Sequence, residues 1–429
     1  MTKRYLVLLC STLWFVLGVF SQNRTTEPAA DKIVLTNVTI VDMCSENPRI
    51  GNILIEGKKI VSIDYNSNTE YKDCEVIDLT GKFIIPGLID AHTHIATMTF
   101  DKREERNAYT QQLLRQMIEG GVTSIRDMAG DARLLAEFKR ASALQEIAAP
   151  NIYYAAFMAG PDYYEGNDRE GRSVAGWPDQ YAPWLQCVTD ETNLTEAVAQ
   201  AKGCGASGLK LYASLDAELV KKITDEGKRQ GIGVWSHACV MSAKPSDAVE
   251  AGVEVISHAE MLKWEQCESL STKMFDNYGK YYGKMKFDFP ELEEVFNQMT
   301  EKKIILDATC YHGTVNGMEE AAIFTKKAHA MGVKVAAGTD YFTDPDKKKL
   351  PFIHEEMQTL VEHCDFTPYE ALRSATIIAA ETFKKHAEIG TIETGKMADL
   401  LILDANPLTN IKNTTKIAFV IKEGVIYKK

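Results

Sequence analysis

Positive charge is in short supply in this 429-residue chain: 48 Lys and Arg stand against 60 Asp and Glu, a formal net charge of −12. That balance excludes broad nucleic-acid binding, which needs clustered Lys and Arg to neutralise phosphates. Compositional bias is lacking too. A hydrophobic fraction of 45% and a charged fraction of 25% are those of an ordinary globular protein. No Cys-x-x-Cys pair occurs, which excludes a zinc-thiolate cluster. Past the first residues, long apolar runs are missing as well. The single such run, 5–20, is shorter than the roughly 20 residues that a membrane-spanning helix needs.

That run is informative in another way. Lys3 and Arg4 precede it, and Ser21-Gln22-Asn23 follow, which is the charged, apolar, small-residue order of a secretory signal. Val19 and Ser21 suit a cleavage site, so a signal over 1–21 and a polar linker over 22–32 are expected. The protein should then be exported, periplasmic or secreted, with no stable membrane anchor after cleavage. Of nine cysteines, Cys10 leaves with the signal. Cys44, Cys74, Cys187, Cys204, Cys239, Cys267, Cys310 and Cys364 remain, in a compartment where disulfides can form. Most are expected to be buried thiols, with Cys44 and Cys74 the pair to check. Sequons at Asn23, Asn37, Asn193 and Asn413 matter only in a host that glycosylates.

Length allows one large domain and a small one. Stretches rich in Val and Ile at 33–41, 52–63 and 75–85 read as strands, interrupted at Gly51, Gly57-Lys58-Lys59 and Gly81. From Pro86 short apolar strands alternate with helical stretches, the pattern of a parallel barrel. Strands are predicted at 88–94, 122–127, 152–157, 208–212, 233–237, 255–258, 304–309 and 333–338, with helices such as 105–119, 217–230 and 290–302 between them. The tail turns strand-like again at 399–403 and 417–427. The predicted fold is α/β: a (β/α)8 TIM-type barrel over 86–385, with a small β-sandwich domain built from 33–85 and 386–429. The segment 160–189, after the third barrel strand, has little periodicity and reads as a binding loop over the barrel mouth.

The strongest local signal is Pro-Gly-Leu-Ile-Asp-Ala-His-Thr-His, ending at His92 and His94. Residues two apart on a strand face the same way, so both imidazoles can grip one divalent metal. In isolation such a pair is as well explained by two unrelated histidines. Four further candidates change the balance. Lys210 falls in Gly-Leu-Lys-Leu-Tyr, His237 ends Val-Trp-Ser-His, His258 ends Val-Ile-Ser-His, and Asp340 follows Ala-Ala-Gly-Thr. All stand at or near the C-terminal ends of predicted strands, where barrel enzymes build their sites. Singly, Lys210 reads as a salt-bridged lysine and Asp340 as a helix cap. Together in barrel order, six metal-compatible side chains are not explained by packing.

With these motifs the chain resembles the amidohydrolase superfamily, and within it the imidazolonepropionase-like and prolidase-like (Xaa-Pro dipeptidase-type) enzymes. The resemblance also rests on the Gly-Val-Thr-Ser-Ile-Arg-Asp stretch to Asp127 and on Gly-Lys-Met-Ala-Asp-Leu-Leu-Ile-Leu-Asp-Ala-Asn-Pro, from Gly395 to Pro407. It implies two divalent ions, zinc by expectation. His92, His94 and Asp340 would hold the first, His237 and His258 the second, and Lys210 would bridge both as a carbamate formed with carbon dioxide. A lysine beside two dications should lose its proton, which suits that reaction. The implied activity is cleavage of a C–N bond, in a dipeptide or N-acyl amino acid, by a bridging hydroxide. Asp340 would move the proton. Asp127 would orient a ligand, or equally pair with Arg126. Tyr212 and His312 are placed to touch substrate, against purely structural roles. Arg169 and Arg172 could clamp a substrate carboxylate, or pair with Asp162, Glu165, Asp168 or Glu170. His329, His354, His363 and His386, on predicted helices, read as ordinary histidines.

The expected partner is a small molecule, a dipeptide or other amide, and a homo-oligomer is left open. A related deaminase would carry a Glu shortly after the fifth-strand histidine, whereas Ala-Cys-Val follows His237 and Lys210 is present. A single-metal cyclic-amide hydrolase of the imidazolonepropionase type is the nearer alternative. A lactonase or phosphotriesterase could use the same ligands. A metal-free binding protein would have no need of Lys210 and Asp340 together.

Overall fold

The computed structural model describes residues 32–66, 69–97, 100, 102–165, 173–178, 180–281, 283–341 and 346–427. The expected signal, Arg169 and Arg172 lie outside these residues. Among the described residues no helix is long and apolar enough to cross a membrane.

The chain opens with five strands: β1 (Lys32–Ile40), β2 (Arg49–Glu56), β3 (Lys59–Asp64), β4 (Glu75–Asp78) and β5 (Phe83–Pro86). The 52–63 stretch, read as strand interrupted at Gly57-Lys58-Lys59, is a hairpin that turns there. Gly57, at φ +56°, takes the left-handed turn position that side chains rarely adopt. Gly51, expected as a break, instead lies inside β2. The tail returns β16 (Leu400–Leu403), β17 (Ile417–Lys422) and β18 (Val425–Tyr427) to the same sheet, in the order β18-β17-β16-β5-β1-β2-β3, with β4 also on β1. Terminal halves meet where β16 runs antiparallel to β5, Leu401 opposite Ile85. Ile33, Leu35, Ile53, Ile84, Leu400, Ile402 and Ile421 fill the core of this small sandwich.

The barrel is β6 (Leu88–Thr93), β7 (Val122–Asp127), β8 (Asn151–Ala159), β11 (Gly208–Leu211), β12 (Gly233–His237), β13 (Val255–Ser257), β14 (Ile305–Asp307) and β15 (Val335–Ala336), numbered around a short hairpin described below. Each strand pairs in parallel with the next. Closure comes from single hydrogen bonds: Ala91 N donates to Ala337 O at 3.0 Å and Asp340 N to His92 O at 2.9 Å. The (β/α)8 barrel with its small sandwich is the architecture expected from the sequence.

Local chemistry sets the helices between the strands. In the Ala217–Gln230 helix, the Asp216 side chain accepts the Leu219 N–H, and Gly231, left-handed at φ 70°, ends it. Its buried Leu219, Val220, Ile223, Thr224 and Gly227 recur at helical spacing. Each large apolar side chain buried this way contributes roughly 1.5–3 kcal/mol. The Ile377–Glu381 helix puts Ala379 and Ala380 in one core with Ile89, Trp235, Val255 and Ile305, from the barrel interior.

The 160–189 segment differs from the loop expected. Its described part holds a short helix, Pro161–Tyr164, and the hairpin β9 (Tyr181–Ala182) and β10 (Leu185–Cys187). β8 is long enough that its lower half pairs with β7 and its upper half with β10, Leu185 beside Phe157. The hairpin therefore extends the barrel wall beside the upper half of β8.

Cys44 and Cys74 are free thiols, the first exposed. The sulfurs that do approach are Cys310 and Cys364, both buried, 3.4 Å apart.

Candidate metal centre

β6 ends in the His92 pair, and its geometry is set by carboxylates below. Asp90 accepts the His92 N–H at 3.1 Å and the Thr339 N–H and hydroxyl at 3.0 and 2.7 Å, lashing β6 to the turn after β15. Burial pushes Asp90 up to about 7. Asp307, at the end of β14, receives the His92 Nδ1 hydrogen bond at 2.6 Å, the Arg126 guanidinium at 2.7 Å and the Ser257 hydroxyl at 3.0 Å. Burial alone would raise its pKa, but His92 and Arg126 outweigh this and hold Asp307 at about 2. With Nδ1 donating to that carboxylate, His92 turns Nε2 to the Asp340 side, 3.8 Å from Oδ1. No side chain fits between these groups: a Cβ on Gly338 would stand 2.3 Å from Asp307 Oδ1 and 2.7 Å from His92 Cβ.

The four strand-end histidines and Asp340 converge. His94 Nε2 lies 3.1 Å from Asp340 Oδ1, and His258 Nδ1 lies 3.8 Å from Oδ2. His92 and His258 rings are 4.8 Å apart, His237 and His258 rings 4.5 Å. Potential ligand atoms of His92, His258 and Asp340 all fall within 4.8 Å of one another. Thr309 Oγ1 steadies His258 Nδ1 at 3.0 Å.

Residues 83–427 match the model of the amidohydrolase family. The chain belongs to that family. It is accordingly a hydrolase acting on carbon–nitrogen bonds. Among curated relatives it is similar to an imidazolonepropionase of Fusobacterium nucleatum, 25% identical over 83% of this chain and 85% of the relative. Among solved structures it is similar to a Xaa-Pro dipeptidase with bound methionine, at TM-score 0.73, 21% identity and coverage of 93% and 100%. An ochratoxinase of A. niger follows at TM-score 0.70, 21% identity and coverage of 93% and 96%. At such identities the structures speak for the fold.

The donor set of this amidohydrolase fits divalent metal. Lys210 Nζ, electrostatically coupled to all four histidines, is buried without a hydrogen-bond partner among the described residues. Burial pulls its pKa down to about 7, so neutral amine is available. Burial, with Lys210 and the neighbouring imidazoles adding to it, holds His237 well below its ordinary value, and burial does the same for His258. Neutral imidazoles are the form that binds metal. Asp340, despite burial, is kept well below the carboxylate range by His92 and His94. Four imidazoles, a carboxylate and an unpartnered lysine could hold two dications.

The remaining predicted residues are placed as follows. Asp127 does not pair with Arg126, which goes to Asp307; its Oδ2 accepts the Ile95 N–H at 2.6 Å and the Thr93 hydroxyl at 3.3 Å, fixing the bend that carries His94. Tyr212 lies against His237, ring centroids 4.1 Å apart. His312 sits in a short helix, Cys310–Val315, and its Nδ1 donates to the Asp340 carbonyl at 3.0 Å. Of the acidic residues weighed against Arg169 and Arg172, Asp162 meets Thr272 and Glu165 meets Lys273. Of the four histidines expected on helices, His329, His354 and His363 are on them, whereas His386 lies in a turn past the Ile377–Glu381 helix; His354 spans Gly120 O and Thr414. Sequence reasoning missed Asp307, Asp90 and Thr309. The available signal was an acid inside an apolar strand, Ile-Ile-Leu-Asp-Ala-Thr and Leu-Ile-Asp-Ala.

Proposed function

We propose that this protein is an exported two-metal amidohydrolase that cleaves the amide bond of dipeptides or N-acyl amino acids. One observation carries the reading: Lys210 is 1% exposed with no hydrogen-bond partner among the described residues, and its charge is felt by His92, His94, His237 and His258 and by Asp340. A buried ammonium with no partner is strongly disfavoured, and conversion to a carbamate would make it an anionic bridge. His92, His94 and Asp340 would hold one ion, His237 and His258 the other, and Lys210 both. Bound there, the ions, zinc by expectation, would polarise the scissile carbonyl and acidify a water. Asp340 Oδ2 takes the proton of the attacking water and returns it to the leaving nitrogen. Asp307 holds His92 in the tautomer that exposes Nε2, and Asp127 holds the His94 bend. Tyr212, against His237, and His312, tied to Asp340, would contact the substrate.

A second reading, cyclic-amide hydrolysis, is favoured by the similarity to an imidazolonepropionase. The experiment that tests both is metal analysis followed by a panel of dipeptides, their C-terminal amides, N-acyl amino acids and a cyclic amide. The proposal expects close to two ions per chain, turnover of linear amides and loss of turnover on chelation. Arg169→Ala and Arg172→Ala in the same panel test the carboxylate clamp. Full activity of metal-free protein, or turnover of the cyclic amide alone, overturns it.

A further inference from the structure

Two groups of aromatic rings stand at the barrel mouth, and the strand order sets them opposite one another. β8 and β11 are the third and fourth barrel strands, β14 and β15 the seventh and eighth. In an eight-stranded barrel these pairs face each other across the axis. On the first side, Phe157 of β8, Tyr163 of the Pro161–Tyr164 helix and Tyr212 just past β11 meet with ring centroids 4.7–5.4 Å apart. On the second, Tyr311 of the Cys310–Val315 helix, Tyr341 just past Asp340 and Phe352 before the Ile353–His363 helix meet at 4.7–5.7 Å.

The first wall touches a candidate metal ligand, and the second reaches one through His312. Tyr212 lies on His237 at 4.1 Å, and Tyr341 faces His312, 6.0 Å away, whose Nδ1 is fixed to the Asp340 carbonyl. Phe157 is fully buried in the core, and the other five rings are not. Tyr341 is 39% exposed, and Tyr163, Tyr212, Tyr311 and Phe352 are each half-buried. Aromatic faces left partly open beside a polar centre are the usual lining of an apolar ligand's subsite.

Resting on the amide-hydrolase reading above, we propose that the substrate carries a bulky apolar group, aromatic by preference, on each side of its scissile amide. One group lies against Tyr163 and Tyr212, the other against Tyr341 and Phe352. The acyl and amine halves of an amide point away from the reacting carbon in opposite directions, which matches two walls on opposite sides of one centre.

The test crosses four probes: N-acetyl-alanine, N-benzoyl-alanine, N-acetyl-phenylalanine and N-benzoyl-phenylalanine, with the zinc-loaded enzyme. Each added ring should raise kcat/KM at least roughly tenfold, the order expected for desolvating a phenyl group against aromatic faces. Tyr163→Ala and Tyr341→Ala should each collapse the preference for one of the two rings, leaving the other ring's effect in place. Tyr341, being largely exposed, can be removed without loss of core, and a thermal melt confirms that both variants fold. Binding of the same probes, followed by equilibrium dialysis, is independent of turnover. Preferential binding of the benzoyl-phenylalanine probe without hydrolysis upholds the walls and sinks the amide reading. Hydrolysis of all four probes at similar kcat/KM upholds the amide reading and overturns the inference. Neither preferential binding nor preferential hydrolysis also overturns it.

Discussion

Asp307→Asn is the substitution that best separates what holds the barrel from what holds the metal. The carboxylate takes three hydrogen bonds, from His92 at 2.6 Å, Arg126 at 2.7 Å and Ser257 at 3.0 Å, with no solvent exposure. The amide is isosteric, so no cavity opens, but two things change. The Arg126 guanidinium, wholly buried, loses its counter-charge; its remaining anchors are the Ala91 carbonyl at 2.7 Å and the Trp235 ring at 4.8 Å. Breaking a buried ion pair from one side costs about 3–5 kcal/mol. The amide also offers an N–H where His92 Nδ1 needs an acceptor, which weakens the tautomer that leaves Nε2 free. Loss of such a partner typically lowers metal affinity roughly 10–100-fold. Denaturant unfolding reads the first effect, and competition with a chromophoric zinc chelator reads the second. Adding Arg126→Met removes the stranded charge and should recover much of the stability while leaving zinc affinity low. If Asp307→Asn unfolds within about 1 kcal/mol of wild type and binds zinc equally well, or if the double substitution restores zinc affinity, the carboxylate does not do what its geometry indicates.

Lys210→Ala should lose metal content and hydrolysis together, and a short carboxylic acid such as propionate should restore part of both; wild-type metal content and rate would sink the bridging role. Asp340→Asn keeps the shape and removes the base, so kcat should fall by roughly 10²–10⁴-fold in steady-state assays, whereas a change in KM alone would take Asp340 out of the chemistry. Asp399, in the small sandwich, is raised by burial from 3.8 to about 6 while its carboxylate accepts the Glu423 N–H at 2.8 Å. Its protonated form is therefore favoured in the folded state, and the stability it contributes is present below pH 3.8 and lost as pH rises through about 6. Asp399→Asn should remove that fall, leaving the variant more stable at pH 7 by up to roughly 3 kcal/mol, as read by urea unfolding across pH 3.5–7.5; parallel pH profiles for the two proteins would refute the burial argument.

The eight barrel strands were legible because each is a short apolar run between helical stretches, and pairing in parallel needed only their order. The helices at 217–230 and 290–302 were legible to the residue, since Asp216, Gly231 and Pro290 mark their ends locally. The turn within 52–63 was legible because Gly57-Lys58-Lys59 interrupts the apolar alternation, whereas the start of β2 at Arg49 was not, because Gly51 reads as a break. The β9–β10 hairpin was hidden for a different reason: two and three residues are too short to show a period, and they form because the upper half of β8 presents an open edge.

The metal site divides along the same line. Its ligand candidates were readable because each ends its own strand, and a strand end is a local property. The groups that aim them were not, since the partner of His92 is 215 residues away and its pairing exists only once the barrel closes with β6 and β14 on either side of β15. Nor does composition help, because an aspartate inside Ile-Ile-Leu-Asp-Ala-Thr reads equally as the end of a strand. What discriminates is the cost of burial: an acid with no solvent exposure must be met by donors, and here those donors include a histidine and the barrel's buried arginine. By the same reasoning Lys210 stands apart from Asp307. Asp307 is buried with its charge met inside the protein, Oδ2 taking three donors that include Arg126 while Oδ1 has no hydrogen-bond partner, so it can be a structural anchor. Lys210 Nζ is buried and, among the described residues, meets no hydrogen-bond partner and no counter-charge at salt-bridge distance, which is the cost the proposed carbamate bridge would remove.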